Sequence, residues 1–174
     1  DLRILFNGAR SATVQESDGT ATTMWDHMLD RHMEKAAGRL TSATEHDGNE
    51  RALALDYLTG KPIGKVSVGD NGNVEINVPQ GKSIATLHTH PNDDYTPSPA
   101  DILSGFNTGS KAEYIAAGKM ILRWQWLKTP EPEDARLIRK FDEDNRNGGV
   151  DIEAYWSFLT KLAKEGYIKM EKLS

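Results

Sequence analysis

The sequence predicts a layered α/β or α+β fold, on three observations. A stripe of apolar residues at helical spacing comes early, several short runs alternating in the strand period follow it, and helix-patterned segments close the chain. No internal repeat or low-complexity tract breaks this order.

Residues 8 to 23 are rich in Ser, Thr, Gly and Asp and read as a loop or arm. Met24, Trp25, Met28, Leu29, Met33, Ala36, Ala37 and Leu40 then mark one face of an amphipathic helix, with Asp26, Asp30, Arg31, Glu34 and Lys35 on the other. The stripe reads as core rather than as a cofactor box. His27 and His32 on the same helix cannot share a face closely, so both read as ordinary surface or core-edge residues. Thr41 to Asn49, containing Asp47-Gly48, is expected to be a polar linker, and Arg51 to Leu58 a strand.

Gly60-Lys61 suggests a tight turn into a second strand, Ile63 to Val68. Asp70-Asn71-Gly72-Asn73 is a turn signal leading to a further strand over Val74 to Val78, which Pro79-Gln80-Gly81 breaks. Ser83 to His88 reads as a strand continuing to His90. Ser98-Pro99 opens a helix, because Ser is a favoured N-cap and Pro is tolerated in the first turn. Tyr114 to Ala117 and Met120 to Trp126 form a hairpin around Gly118-Lys119, with Leu122, Trp124 and Trp126 packing one sheet face. Leu137, Ile138 and Phe141 mark a helix closed by Asn147-Gly148-Gly149. Ala154, Tyr155, Phe158, Leu159 and Leu162 mark another, capped by Asp151 and ended by Gly166, before an edge strand in Tyr167 to Leu173.

A chain of 174 residues fits one domain that can bury a core unaided. A net charge of −5 gives no electrostatic reason to expect nucleic acid. The absence of cysteine excludes disulfides, thiolate nucleophiles and thiolate-rich zinc sites, so any zinc must rest on His and carboxylate. No apolar run reaches the roughly eighteen residues of a membrane span, and the amino terminus has no signal-peptide plan, so a cytoplasmic, soluble protein is expected. The chain begins at Asp1 rather than Met, as a segment of a longer polypeptide would.

The chemistry is concentrated in His88-Thr89-His90-Pro91 and Ser98-Pro99-Ala100-Asp101. Two histidines two apart on a strand point the same way and act as one clamp. A catalytic zinc needs three protein ligands and an open position, and His88, His90 and Asp101 supply the three. A non-ligand carboxylate must then move the proton. Glu45 lies in the expected linker, Glu75 inside an expected hairpin strand, and Glu50 where a strand begins. Glu50 is preferred, with Glu45 next, because the start of a strand is held by the sheet yet can face a cleft.

An upstream Glu, then His-x-His-Pro, then after seven residues Ser-x-x-Asp, resembles the JAMM motif of the MPN/JAB metalloprotease superfamily, over roughly residues 24 to 127. The resemblance implies a mixed β-sheet flanked by helices, with cytidine-deaminase-like layering. It implies zinc on His88, His90 and Asp101, Ser98 stabilising an oxyanion, and Glu50 as general base. It implies hydrolysis of a peptide or isopeptide bond in a protein substrate, often next to a ubiquitin-like tail. Residues 1–127 would then form the catalytic domain, with 128–174 a C-terminal helical appendage packed on it. Related readings are a RadC-like protein of DNA metabolism and a non-catalytic MPN interaction module.

Overall fold

The computed structural model describes residues 3–7, 11–15, 21–76 and 83–173. Three short strands, β1 (Arg3–Asn7), β2 (Ser11–Gln15) and β3 (Ala21–Thr23), pair antiparallel in a small sheet. The expected loop over residues 8 to 23 therefore contains two strands; the rest of that stretch lies outside the described residues. Thr13, Val14, Thr22 and Thr23 are β-branched, a preference that outweighs the loop-like composition around them.

Helix α1 (Met24–Asp47) follows directly. It runs through the segment expected to be a linker, because Thr41 and Thr44, three apart, continue the buried stripe of Leu29, Met33, Ala36, Ala37 and Leu40. Met28, expected in that stripe, is exposed, and the side chains of Met24, Trp25 and His27 lie outside the described set. The helix ends at Gly48, whose φ of 76° is the left-handed geometry that a C-terminal glycine accepts without strain.

Strands β4 (Arg51–Asp56), β5 (Pro62–Val68), β6 (Ile84–His90), β7 (Ala112–Ala117), β8 (Met120–Trp126) and β9 (Ile168–Lys172) form a six-stranded mixed sheet in the order β5-β4-β6-β7-β8-β9. β9 is an edge strand, as expected. Val74 to Ile76, expected in a strand, are irregular and line a cleft instead; Asn77 and Val78 lie outside the described residues. Helices α2 (Pro99–Thr108), α3 (Pro132–Arg146) and α4 (Ile152–Lys164) complete an α+β architecture with four helices among the described residues.

The sheet separates two apolar layers. Leu53, Leu55, Ala85, Leu87, Ala112 and Tyr114 meet α1 on one face. Ile115, Leu122 and Trp124 meet Ile102 of α2, Ile138 of α3 and Tyr155, Phe158, Leu159 and Leu162 of α4 on the other. Alternation along each strand sends successive side chains to opposite layers. Residues 128–174 thus join this core through α3, α4 and β9. A Cβ at Gly105 would collide with the Trp124 indole, so a glycine there permits α2 to lie close on the sheet. Trp124 packs the sheet face as expected, while Trp126 is half-buried with its indole N–H donating to the Ile102 carbonyl at 3.0 Å.

Candidate metal centre

β6 pairs antiparallel with β4 but parallel with β7, and α2 makes the crossover between the two parallel strands. The chain therefore leaves the sheet at the carboxyl end of β6, where open α/β sheets collect ligands. His88 and His90 occupy that end. Thr89, between them, points to the α1 layer, where its hydroxyl meets that of Thr44 at 2.6 Å.

Helix α2 supplies the third group through its own cap. The Asp101 N–H donates to Ser98 Oγ at 3.1 Å, and the Ser98 N–H donates to Asp101 Oδ2 at 2.9 Å, a reciprocal capping box that fixes both side chains. The same Oδ2 lies 3.3 Å from His88 Nε2 and 3.6 Å from His90 Nε2, and the two Nε2 atoms are 3.1 Å apart. These three groups can hold a metal ion. His90 Nδ1 lies 2.6 Å from the Asp94 carbonyl, which can only accept, so Nδ1 carries the proton and Nε2 presents a lone pair to the site.

Glu50 sits one residue before β4. Its N–H donates to the Asp70 carbonyl and its carbonyl accepts from the Gly69 N–H, so the backbone is held on both sides. Ala52 is paired with His88, and extending that register by two residues puts Glu50 across from His90 on the same face. Burial pushes the Glu50 carboxyl up, against the pull of His88 and His90. Of the other glutamates considered, Glu45 is exposed on α1 and is absent from the described cleft lining, whereas Glu75 lines the cleft from its irregular segment.

Glu113 is a site residue the sequence reading missed. It lies in β7 opposite Thr86, on the face shared with His88, and burial pushes its carboxyl up to about 8. The signal available was a single acid inside the apolar run Ala112 to Ala117, since a buried strand rarely carries an unpaired charge. Burial pushes His88 down, but Asp101 and the neighbouring glutamates outweigh it and raise the imidazole to about 9. Burial likewise pushes Asp101 up, and the two imidazoles more than reverse this, holding it well below the usual carboxylate range. Groups perturbed this strongly, in opposite senses, cluster where chemistry or ligand binding occurs.

Glu50, His88, His90, Ser98, Asp101 and Glu113 open onto one cleft of about 990 Å³. Fold and site together define a helix-flanked mixed-sheet protein with a His-His-Asp group able to bind a metal. No protein-family model matches the chain, and neither a curated protein nor a solved structure does. Among the described residues no helix is long and apolar enough to cross a membrane.

Proposed function

We propose that the protein is a zinc-dependent hydrolase of amide bonds in proteins or peptides, with an MPN/JAB-like fold and a JAMM-type centre. The observation that carries this reading is the spacing of the three donor atoms, 3.1, 3.3 and 3.6 Å. Ligands about 2.0–2.1 Å from a tetrahedral zinc lie roughly 3.3–3.4 Å apart, so the group fits three corners of that polyhedron. Two imidazoles and one carboxylate also suit zinc better than the all-oxygen preference of magnesium or calcium.

Zinc held by His88, His90 and Asp101 would supply a more acidic water and a polarised substrate carbonyl. The residues of the chain do the rest. Glu50, across from His90, accepts the proton of the attacking water and returns it to the departing amine, so that one water and one amide become an acid and an amine. The upward push of burial strengthens its carboxylate as a base for that proton. Ser98 Oγ accepts from the Asp101 N–H, leaving its own proton to donate toward an oxyanion in the cleft.

The test is to measure bound zinc and chelator-sensitive cleavage of a protein or peptide pool. Glu50→Gln is expected to keep zinc and lose roughly 10²- to 10⁴-fold in rate. Zinc binding with no metal-dependent cleavage would favour a non-catalytic interaction module instead, and a salt-sensitive shift of DNA would favour the RadC-like reading.

A further inference from the structure

We infer that the exposed face of α4 is the specificity subsite of this cleft, and that the cleft takes a polypeptide segment bearing a large apolar side chain and at least one Lys or Arg. The inference rests on the hydrolase reading for its biological sense but on separate residues for its evidence. α4 buries Tyr155, Phe158, Leu159 and Leu162 in the core, yet Ile152 is 75% exposed and Trp156 47% exposed, four residues apart on its outer side. Both line the cleft that holds His88, His90 and Asp101.

This face is fixed relative to the metal-binding group. The Tyr155 hydroxyl donates to the Pro97 carbonyl at 2.7 Å in a buried contact, one residue before the Ser98 cap. An indole beside an aliphatic side chain, rigidly placed and open to solvent, is the kind of surface that anchors one apolar side chain of a partner. Val74 and Ile76, half-buried, give the cleft a second apolar patch.

Charge narrows the occupant. Glu50, Glu75, Asp93, Asp94 and Asp101 line the cleft, Glu113 beside them holds its proton at neutral pH, and no Lys or Arg lines it among the described residues. Two histidines and one divalent ion leave that lining short of positive charge, so a phosphate-rich strand would be repelled and a basic peptide drawn in. A polypeptide supplies the apolar anchor and the cation together, which a nucleic acid does not.

The experiment uses the full chain as Glu50→Gln with zinc bound, so that capture does not depend on turnover, against a pool of random peptides long enough to span the cleft. Captured peptides are expected to be enriched in Lys or Arg and in a large apolar residue, with binding that weakens as salt screens the charges. Adding Trp156→Ala or Ile152→Ser, both surface changes, should erase the apolar preference and weaken the best peptide about tenfold or more while the basic preference survives. In chain with Glu50 intact, either variant should raise KM and leave kcat nearly unchanged. Unchanged selection in both variants, enrichment of acidic or phosphorylated peptides, preferential capture of a single-stranded oligonucleotide, or no capture overturns the inference. Selective capture by Glu50→Gln with no cleavage by the unaltered protein would sink the hydrolase reading and leave the subsite standing.

Discussion

The two faces of the sheet each carry a cluster of charged groups, and they are built on opposite plans. Toward α1, Arg123 Nη1 reaches both oxygens of Asp30 at 2.7 and 2.8 Å, its Nη2 bonds Glu171, and the Tyr114 hydroxyl donates to Asp30 at 2.5 Å. Each charge there has a partner of the other sign in direct contact. Across the sheet, three carboxylates, Glu50, Asp101 and Glu113, share two imidazoles, and their proton affinities are driven apart. The first cluster ties α1, β7, β8 and β9 together. The second drives the proton affinities of its groups apart, as happens at sites that bind ions or carry chemistry.

Breaking the paired cluster should give the largest loss of stability. Arg123→Met leaves Asp30 with the Tyr114 hydroxyl alone, while the more exposed Glu171 keeps Lys169, so a cost near the low end of about 3–5 kcal/mol is expected in urea unfolding. His88→Gln in the metal-free protein should cost less, since Asp101 keeps the Ser98 N–H as a donor and His90 beside it. Equal costs would erase the distinction between the two faces.

The next effect has the opposite sign. Glu113 keeps its proton up to about pH 8 when folded, whereas a glutamate in water loses it near 4.5. Between those two values the unfolded chain releases a proton that the folded chain retains, so folding stability falls as pH rises, by about 1.4 kcal/mol per unit, and levels off above pH 8. Glu113→Gln removes that dependence. The metal-free variant should therefore be more stable than the parent at pH 9, by on the order of 5 kcal/mol, and nearly equal to it at pH 4. A parallel pair of stability curves would show that Glu113 is solvated rather than buried.

Metal binding sharpens the contrast further. With His88 raised to about 9, an ion must displace its proton at neutral pH. Affinity for zinc is then expected to climb about tenfold per pH unit up to that value, with close to one proton released at pH 7 in calorimetry across buffers. Replacing Arg123 should leave this slope alone, because its cluster lies on the other face.

Much of this division was legible in the chain, and its failures have local causes. His88 and His90 two apart and Ser98 with Asp101 three apart encode geometry directly, through the strand period and the capping box, so the metal-binding group could be read without a structure. The end of α1 could not. Thr41, Thr44 and Asp47 look like linker residues, but the first two find the sheet and the third pairs with Arg51 at 2.6 Å, so tertiary contacts override weak helix propensity. Val74 and Ile76 alternate like a strand, yet the Asp70 side chain accepts from the Gly72 and Asn73 N–H groups and turns the chain toward the cleft instead. Glu113 was passed over because, besides the neighbouring Ser110, the charged groups it faces are His88 on β6 and Asp101 on α2, which sequence proximity does not connect to it.

The smallest predicted effect lies at the seam between the two faces. Thr89 touches neither cluster, but its Oγ1 accepts the Arg51 N–H at 2.9 Å and meets Thr44 Oγ1 at 2.6 Å, so it joins α1 to the start of β4. Thr89→Val keeps the shape and β-branching while leaving the Arg51 N–H and the Thr44 hydroxyl without that partner, at a cost of about 1–3 kcal/mol. Zinc stoichiometry should not change, since His88 and His90 stay on their strand. Glu50 precedes Arg51 and depends on the same register, so the proposed hydrolysis should fall by less than about tenfold, with kcat affected more than KM. Loss of zinc in this variant would mean that the histidines are placed by α1 rather than by β6, and the separation of the two faces would have to be redrawn.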